Sequence, residues 1–247
     1  IFAGGHLRLY KKIYTEAHTR RVSSGDVLRD SPLWNDVKQL LQERGQTPDL
    51  ETPDFDAREM RAVYQAILDI TGNSVICDNS MNIKHLDSLI AESVDTFIVH
   101  IVRDGRAVQH SMNRKYPDSN VWENWRNYNL FSWKKYRGDR RYTCVRYEDL
   151  VRDPRQVTQS LLDRVAAFFG DERLRTLPEG DELFRFDNLM FEANRMRFKR
   201  DQRIVPDLEY LHTTPLYQWM RQTWVMAFAL LRFGYPLLRR MPGKAPW

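Results

Sequence analysis

An arginine at position 103 and a serine at 111 stand eight residues apart in "HIVRDGRAVQHS", residues 100–111. The arginine follows "TFIVHIV", an apolar run of strand length that fits a strand buried on both faces. The serine lies inside "GRAVQHSMNRK", which patterns as a helix. With Asp104 as the helix cap, positions 104, 107–108 and 111 share one face, and Ser111 lies roughly 10 Å along the axis. A guanidinium folded along that face would give a phosphate a charge-assisted fork, and the serine would add a hydroxyl hydrogen bond. Arg114, one turn beyond, would add positive charge. A plainer reading also fits: Arg103 and Asp104 pair and cap the helix.

Asp78 ends another apolar run, "SVIC". If its strand is parallel to the one ending at Arg103, both side chains emerge at the carboxyl edge of the sheet, where ligands bind in α/β folds. Helix starts at that edge also present N–H groups that favour anions. Asp78 is thus the candidate general base, with a hydrogen bond between helix and loop as its structural alternative. His85 is a weaker candidate, read as a turn into a helix with a solvated side chain. Glu148 and Asp149 are expected to cap or pair locally, and Trp122 and Trp125 to pack in a core.

The elements that must carry these groups alternate. Residues 1–20 have apolar positions at helical spacing. Ser31 caps and Pro32 opens a helix through "LWNDVKQLLQERG". A helix over about 57–70 carries Met60, Val63, Tyr64, Ile67 and Leu68 on one stripe. "SVIC", "TFIVHIV" and "YTCVRY" read as three strands. Helices follow each: "NIKHLDSLIAE" with Asn82 as cap, "GRAVQHSMNRK" and a longer one over 120–136, and "RDPRQVTQSLLDRVAAFFG" with Asp153, Pro154 and Gly170 as its signals. The C-terminal third is helix and loop. Strand–helix alternation from 75 to 170 argues for a parallel α/β sheet flanked by helices.

Size and charge set bounds. The chain has 247 residues, 42% of them apolar, enough for one sizeable core. Its formal charge of +5 suits anionic ligands without choosing among them. The cysteines, Cys77 and Cys144, read as small buried hydrophobes, which favours a reducing, cytoplasmic setting. None of the 6 histidines sits at metal-ligand spacing, so no metal is expected. "WVMAFALLRFGYPLL" is interrupted by Arg232, Gly234 and Pro236 and reads as a packed helix, so no membrane span is expected.

"FIVHIVRDGRAVQHS" followed by "YTCVRYEDLVRDP" resembles the sulfotransferases that use 3′-phosphoadenosine 5′-phosphosulfate. The resemblance implies that Arg103 and Ser111 hold the donor's 3′-phosphate and that Tyr147 lies near its adenine. "FEANRMRF" is similar to a late segment whose basic residues close over the donor, which places Arg197 there. "VICDNSMN" and "SSGDVLRDSPLWNDV" are weaker matches. Together they imply a P-loop nucleotide-hydrolase-like architecture over 1–247, no metal, and a hydroxyl or amine acceptor on a small molecule, carbohydrate or lipid.

Two departures stand out. The Gly-rich loop for the 5′-phosphosulfate is not found: Gly4 and Gly5 have no preceding strand and no Ser/Thr pair. Met81 stands where some relatives have lysine. The expectation is one sulfotransferase-like domain lacking its N-terminal strand and phosphate loop, with the non-Met start fitting a truncated chain. Two rival readings are a nucleotide-dependent phosphotransferase on the same fold and a non-catalytic basic module binding nucleic acid. The strand-end arginine speaks against the second.

Overall fold

The computed structural model describes residues 32–46, 57–78, 83–115, 120–177 and 207–239. By packing, the chain divides into two compact units, 1–96 with 178–202 and 97–177 with 203–247.

The described part of the first unit is helical. Helix α1 is Pro32–Glu43, α2 is Ala57–Thr71 and α3 is Ile83–Ala91. Proline opens α1 as expected, and Gly45 follows it with φ +65, a left-handed conformation that suits a helix stop. The apolar stripe of α2 packs inward: Met60, Val63 and Ala66 are buried, with Val37 and Leu41 of α1 and Leu86 and Leu89 of α3.

The second unit is mixed and helix-rich. Strand β1 (Ile98–Val102) leads into α4 (Gly105–Lys115) and α5 (Trp122–Tyr136), then β2 (Tyr142–Arg146). Helix α6 (Tyr147–Arg152) and α7 (Pro154–Phe169) follow, then a 3₁₀ turn at Glu172–Arg175; α8 (Glu209–Thr213) and α9 (Leu216–Arg232) close the described part. β1 and β2 pair in parallel, in register from Ile98↔Tyr142 to Val102↔Arg146. Parallel neighbours need a crossover of a dozen or more residues, which α4 and α5 supply.

Local signals set α7 as read. The Asp153 carboxylate accepts from the Gln156 amide at 3.0 Å, Pro154 is first, and Gly170 ends the helix at φ 68. The core of this unit joins Val102 to Trp122 and Trp125 of α5, to Met226, Ala229 and Leu230 of α9, and to Phe233 and Tyr235 beyond it. A fully buried side chain such as Leu230 contributes about 1.5–3 kcal/mol by leaving water.

Three expectations need correction. Residues 75–77 join no ladder, so "SVIC" is not a strand among the described residues, and the described sheet has two strands rather than three. A strand needs a neighbour to take its N–H and C=O groups, and no described segment supplies one there. With one described neighbour, β1 buries its ends, Ile98 and Val102, while Val99, His100 and Ile101 stay half-buried. Both cysteines are exposed: Cys77 in that unpaired stretch, Cys144 at the outward position of β2. The expected helix over 1–20 and the caps at Ser31 and Asn82 lie outside the described residues.

Candidate functional site

The end of β1 is pinned by three side chains, from α5, from α6 and from the segment after α9. The Tyr235 hydroxyl donates to the Val102 carbonyl at 2.8 Å, and the Trp125 indole N–H donates to the Arg103 carbonyl at 3.0 Å. Asp104 donates its amide to Glu148 Oε1 at 3.0 Å, while Glu148 Oε2, 2.7 Å from the Tyr235 oxygen, shares that hydroxyl's one proton with the Val102 carbonyl. These bonds satisfy the Val102 and Arg103 carbonyls and the Asp104 amide, and so fix the path of the backbone as it leaves the strand.

Asp104 is buried and caps α4 as expected, accepting from the Arg106 amide at 2.9 Å. It also receives the Arg106 guanidinium, at 2.9 Å from Nε and 2.7 Å from Nη2. Arg106 is itself buried, donates to the Pro236 carbonyl at 2.9 Å, and lies 4.1 Å from the Trp219 ring. So Asp104 pairs with Arg106, not Arg103. The backbone amides of Asp104 and Arg106 are thus both satisfied internally. Gly105 is required for close packing: a Cβ there would stand 2.5 Å from Met226 Sδ and 2.7 Å from the Trp125 ring.

Arg103 is thereby released toward the outer face of α4. Its guanidinium lies 4.8 Å from the Tyr147 ring and donates to Asp207 Oδ2 at 3.1 Å. Arg114 reaches the same Oδ2 at 3.4 Å and Glu209 Oε2 at 2.6 Å. Two guanidinium groups, from the strand end and from the last turns of α4, thus converge on one anionic oxygen. Burial works to raise the Asp207 pKa, but the Arg103 hydrogen bond and charge, with help from the Glu209 amide and Arg114, hold it below the ordinary value of 3.8. Ser111, half-buried, sits on α4 one turn before Arg114.

The "RYEDL" stretch braces this arrangement. Arg146 lies 4.6 Å from the Tyr235 ring, Tyr147 backs Arg103, and Asp149 pairs with Arg146 and Arg152 at 3.8 and 3.3 Å. Asp149 is local as expected. Glu148 is not: its partners lie 44 and 87 residues away, because the parallel register brings the start of α6 beside the start of α4. Trp122 and Trp125 are core residues, as the sequence suggested.

Asp78 belongs to the first unit and is 2% exposed. Its Oδ2 accepts from the Tyr64 hydroxyl and stands 3.7 Å from His85 Nε2, which is 3.3 Å from the same hydroxyl. Burial, then the Asp78 charge, push the Tyr64 pKa far up, so the phenol keeps its proton and donates it in this bond. His85 is buried on α3, which corrects its reading as a solvated side chain; its ring turns toward Tyr64 and Asp78. Arg197 lies outside the described residues.

A model of the sulfotransferase family matches residues 13–169. The chain belongs to the sulfotransferase family. Sulfotransferases move sulfuryl groups, so the membership carries transferase chemistry in general. The matched span takes in Asp78, Arg103, Ser111 and Tyr147 of this sulfotransferase and stops short of Arg197 and Asp207. No curated protein and no solved structure gave a significant match. Among the described residues of this sulfotransferase, no group of three or more His, Cys, Asp or Glu is arranged to hold a metal ion.

Sequence reasoning missed the acidic partners of Arg103 and Arg114. Asp207 and Glu209 lie about a hundred residues downstream, outside every motif, and nothing in the spacing marks them.

Proposed function

We propose that this sulfotransferase takes 3′-phosphoadenosine 5′-phosphosulfate as donor, on a P-loop-like architecture, and passes the sulfuryl group to a hydroxyl or amine acceptor. The observation that carries the reading is the convergence of Arg103 and Arg114 on a single anionic oxygen, the Asp207 carboxylate. A carboxylate there reports a position where two cations neutralise one anion, as a nucleotide's extra phosphate requires.

In this reading Arg103 forks onto the 3′-phosphate, Ser111 donates its hydroxyl, and Arg114 adds charge. The Tyr147 ring backs the guanidinium and offers a flat apolar surface to a base. Asp207 must yield Arg103 to the incoming phosphate. That exchange is feasible because the pair is partly exposed, with side chains 23% and 31% accessible, so it contributes about 1 kcal/mol or less. A fork to phosphate contributes more, at about 1.5–3 kcal/mol per charge-assisted bond. The α4 cap and the Glu148 bridge hold Arg103 in place without taking part in the exchange.

The donor, when bound, supplies the sulfuryl group and a phosphate leaving group. The chain's task is to align the acceptor and to stabilise charge. Asp78 is the candidate base, but its burial and its bond from Tyr64 favour the structural role, fixing Tyr64 and His85 between α2 and α3. Asp78→Asn separates the two: a base variant keeps its melting temperature and loses transfer, whereas a structural variant loses both.

The reading is tested by offering donor carrying radiolabelled sulfur with panels of phenols, sugars and hydroxylated lipids, beside ATP labelled at the γ-phosphate. Label moving from the phosphosulfate and none from ATP is the expected result. Phosphoryl transfer from ATP would replace the reading with a phosphotransferase.

A further inference from the structure

Helix α9 is apolar on two sides. Trp219, Met226, Ala229 and Leu230 are buried. The opposite side carries Leu216, Tyr217, Met220, Trp224, Phe228 and Leu231, every one more than half exposed, with Trp224 at 84% and Phe228 at 67%. At about 100° per residue these six fall within an arc of about 120°, a continuous stripe along the whole helix. An isolated exposed leucine needs no explanation, but an aromatic stripe of this length does.

Charge says what fits it. Residues 216–247 contain five of the chain's 38 Lys and Arg and none of its 33 Asp and Glu. The rest of the chain is balanced, 33 against 33, so the whole +5 excess belongs to this final stretch. Two of the five, Arg221 and Arg232, follow the stripe along one border. Their guanidinium groups lie 5.0 Å from the Trp122 ring and 4.1 Å from the Trp133 ring, which holds them there.

We propose that this face of α9 docks on an anionic lipid bilayer, lying in the plane of the interface. Tryptophan, tyrosine and phenylalanine are the side chains that settle at the headgroup level, and arginines beside them meet anionic headgroups. A second copy of the chain suits the face less well, because its acid-free, cationic border would meet itself in a symmetric pair. The helix lies on the bilayer and does not cross it: no helix among the described residues is long and apolar enough to span. The inference is independent of the donor reading.

The test is co-sedimentation of the full chain with vesicles of phosphatidylcholine alone and of phosphatidylcholine mixed with phosphatidylglycerol. The account expects binding to the mixed vesicles, weakened by salt, and little to the neutral ones. The double substitution Trp224→Ser/Phe228→Ser should abolish binding. Both positions are exposed, so the melting temperature and nucleotide binding should not change. Independently, Arg221→Gln/Arg232→Gln should weaken binding by about tenfold or more. Equal binding to neutral vesicles, no binding to either, or binding kept by the Trp224/Phe228 variant would overturn the proposal. So would sedimentation-velocity evidence of a dimer that the same variant dissociates, since the occupant would then be a second copy.

Discussion

Arg103 and Arg114 meet at Asp207 Oδ2, and that contact makes a residue-level prediction. Asp207→Asn keeps the shape and removes the charge that competes for both guanidinium groups. The account expects 3′-phosphoadenosine 5′-phosphate to bind severalfold more tightly, the scale of a partly exposed ion pair of about 1 kcal/mol or less. Isothermal titration of the variant measures it; weaker binding would mean that Asp207 organises the arginines for ligand rather than competing with it. The same pair has a pH signature. The folded-state pKa of Asp207 lies below its ordinary value of 3.8, so its contribution to stability is present above that value and is lost as pH falls through the lowered one. At neutral pH the competition is therefore fully in force.

At the scale of elements, β1, β2 and α5 are tied by a chain of hydrogen bonds through His100. Its Nε2–H donates to Asn129 Oδ1 at 2.8 Å, the Tyr142 hydroxyl donates to Nδ1 at 2.7 Å, and Asn129 donates to the Trp125 carbonyl at 2.7 Å. Burial lowers the His100 pKa from its ordinary 6.5, more than the Asn129 contact raises it. The unfolded chain therefore takes up a proton more readily than the folded one. Stability is full above 6.5 and falls as pH drops below it, by at most about 1.4 kcal/mol per pH unit. Melting temperatures from pH 7.5 to 5 should fall, and His100→Gln, which can keep hydrogen bonds to Asn129 and Tyr142, should flatten the slope. An unchanged slope would exclude His100 as its source.

These elements also show what a sequence can reveal. The cap at Asp153, the proline after it and the glycine at 170 act within one turn of the helix they bound, so α7 could be read directly. Arg103 at the seam was legible too, because an apolar run ending in a cation is a local pattern. "SVIC", an apolar run ended by Asp78, joins no ladder among the described residues, since apolarity does not reveal whether a neighbouring strand exists. The partners of Glu148 and Arg103, up to 104 residues away, follow from the parallel register and the return of the chain at Asp207. No spacing rule contains that information. The exposure of Cys77 and Cys144 has the same cause: burial depends on what packs against a segment, which its own residues do not state.

For the whole molecule, family membership fixes the class of chemistry, and the proposed donor site lies at the seam between β1 and α4. The buried Asp104–Arg106 pair, the Glu148 bridge and the Trp125 indole spend their hydrogen bonds on the scaffold. Arg103 alone among these groups points its charge outward, with Arg114 beyond it. The direct measurement is calorimetric titration of 3′-phosphoadenosine 5′-phosphate into the chain and into its Arg103→Ala variant, with 5′-AMP as the ligand lacking the extra phosphate. The account predicts tight binding that weakens at least tenfold in the variant, a loss of about 1.5–3 kcal/mol per bond, with 5′-AMP bound weakly and equally by both. Equal affinity of the two proteins for 3′-phosphoadenosine 5′-phosphate would contradict it.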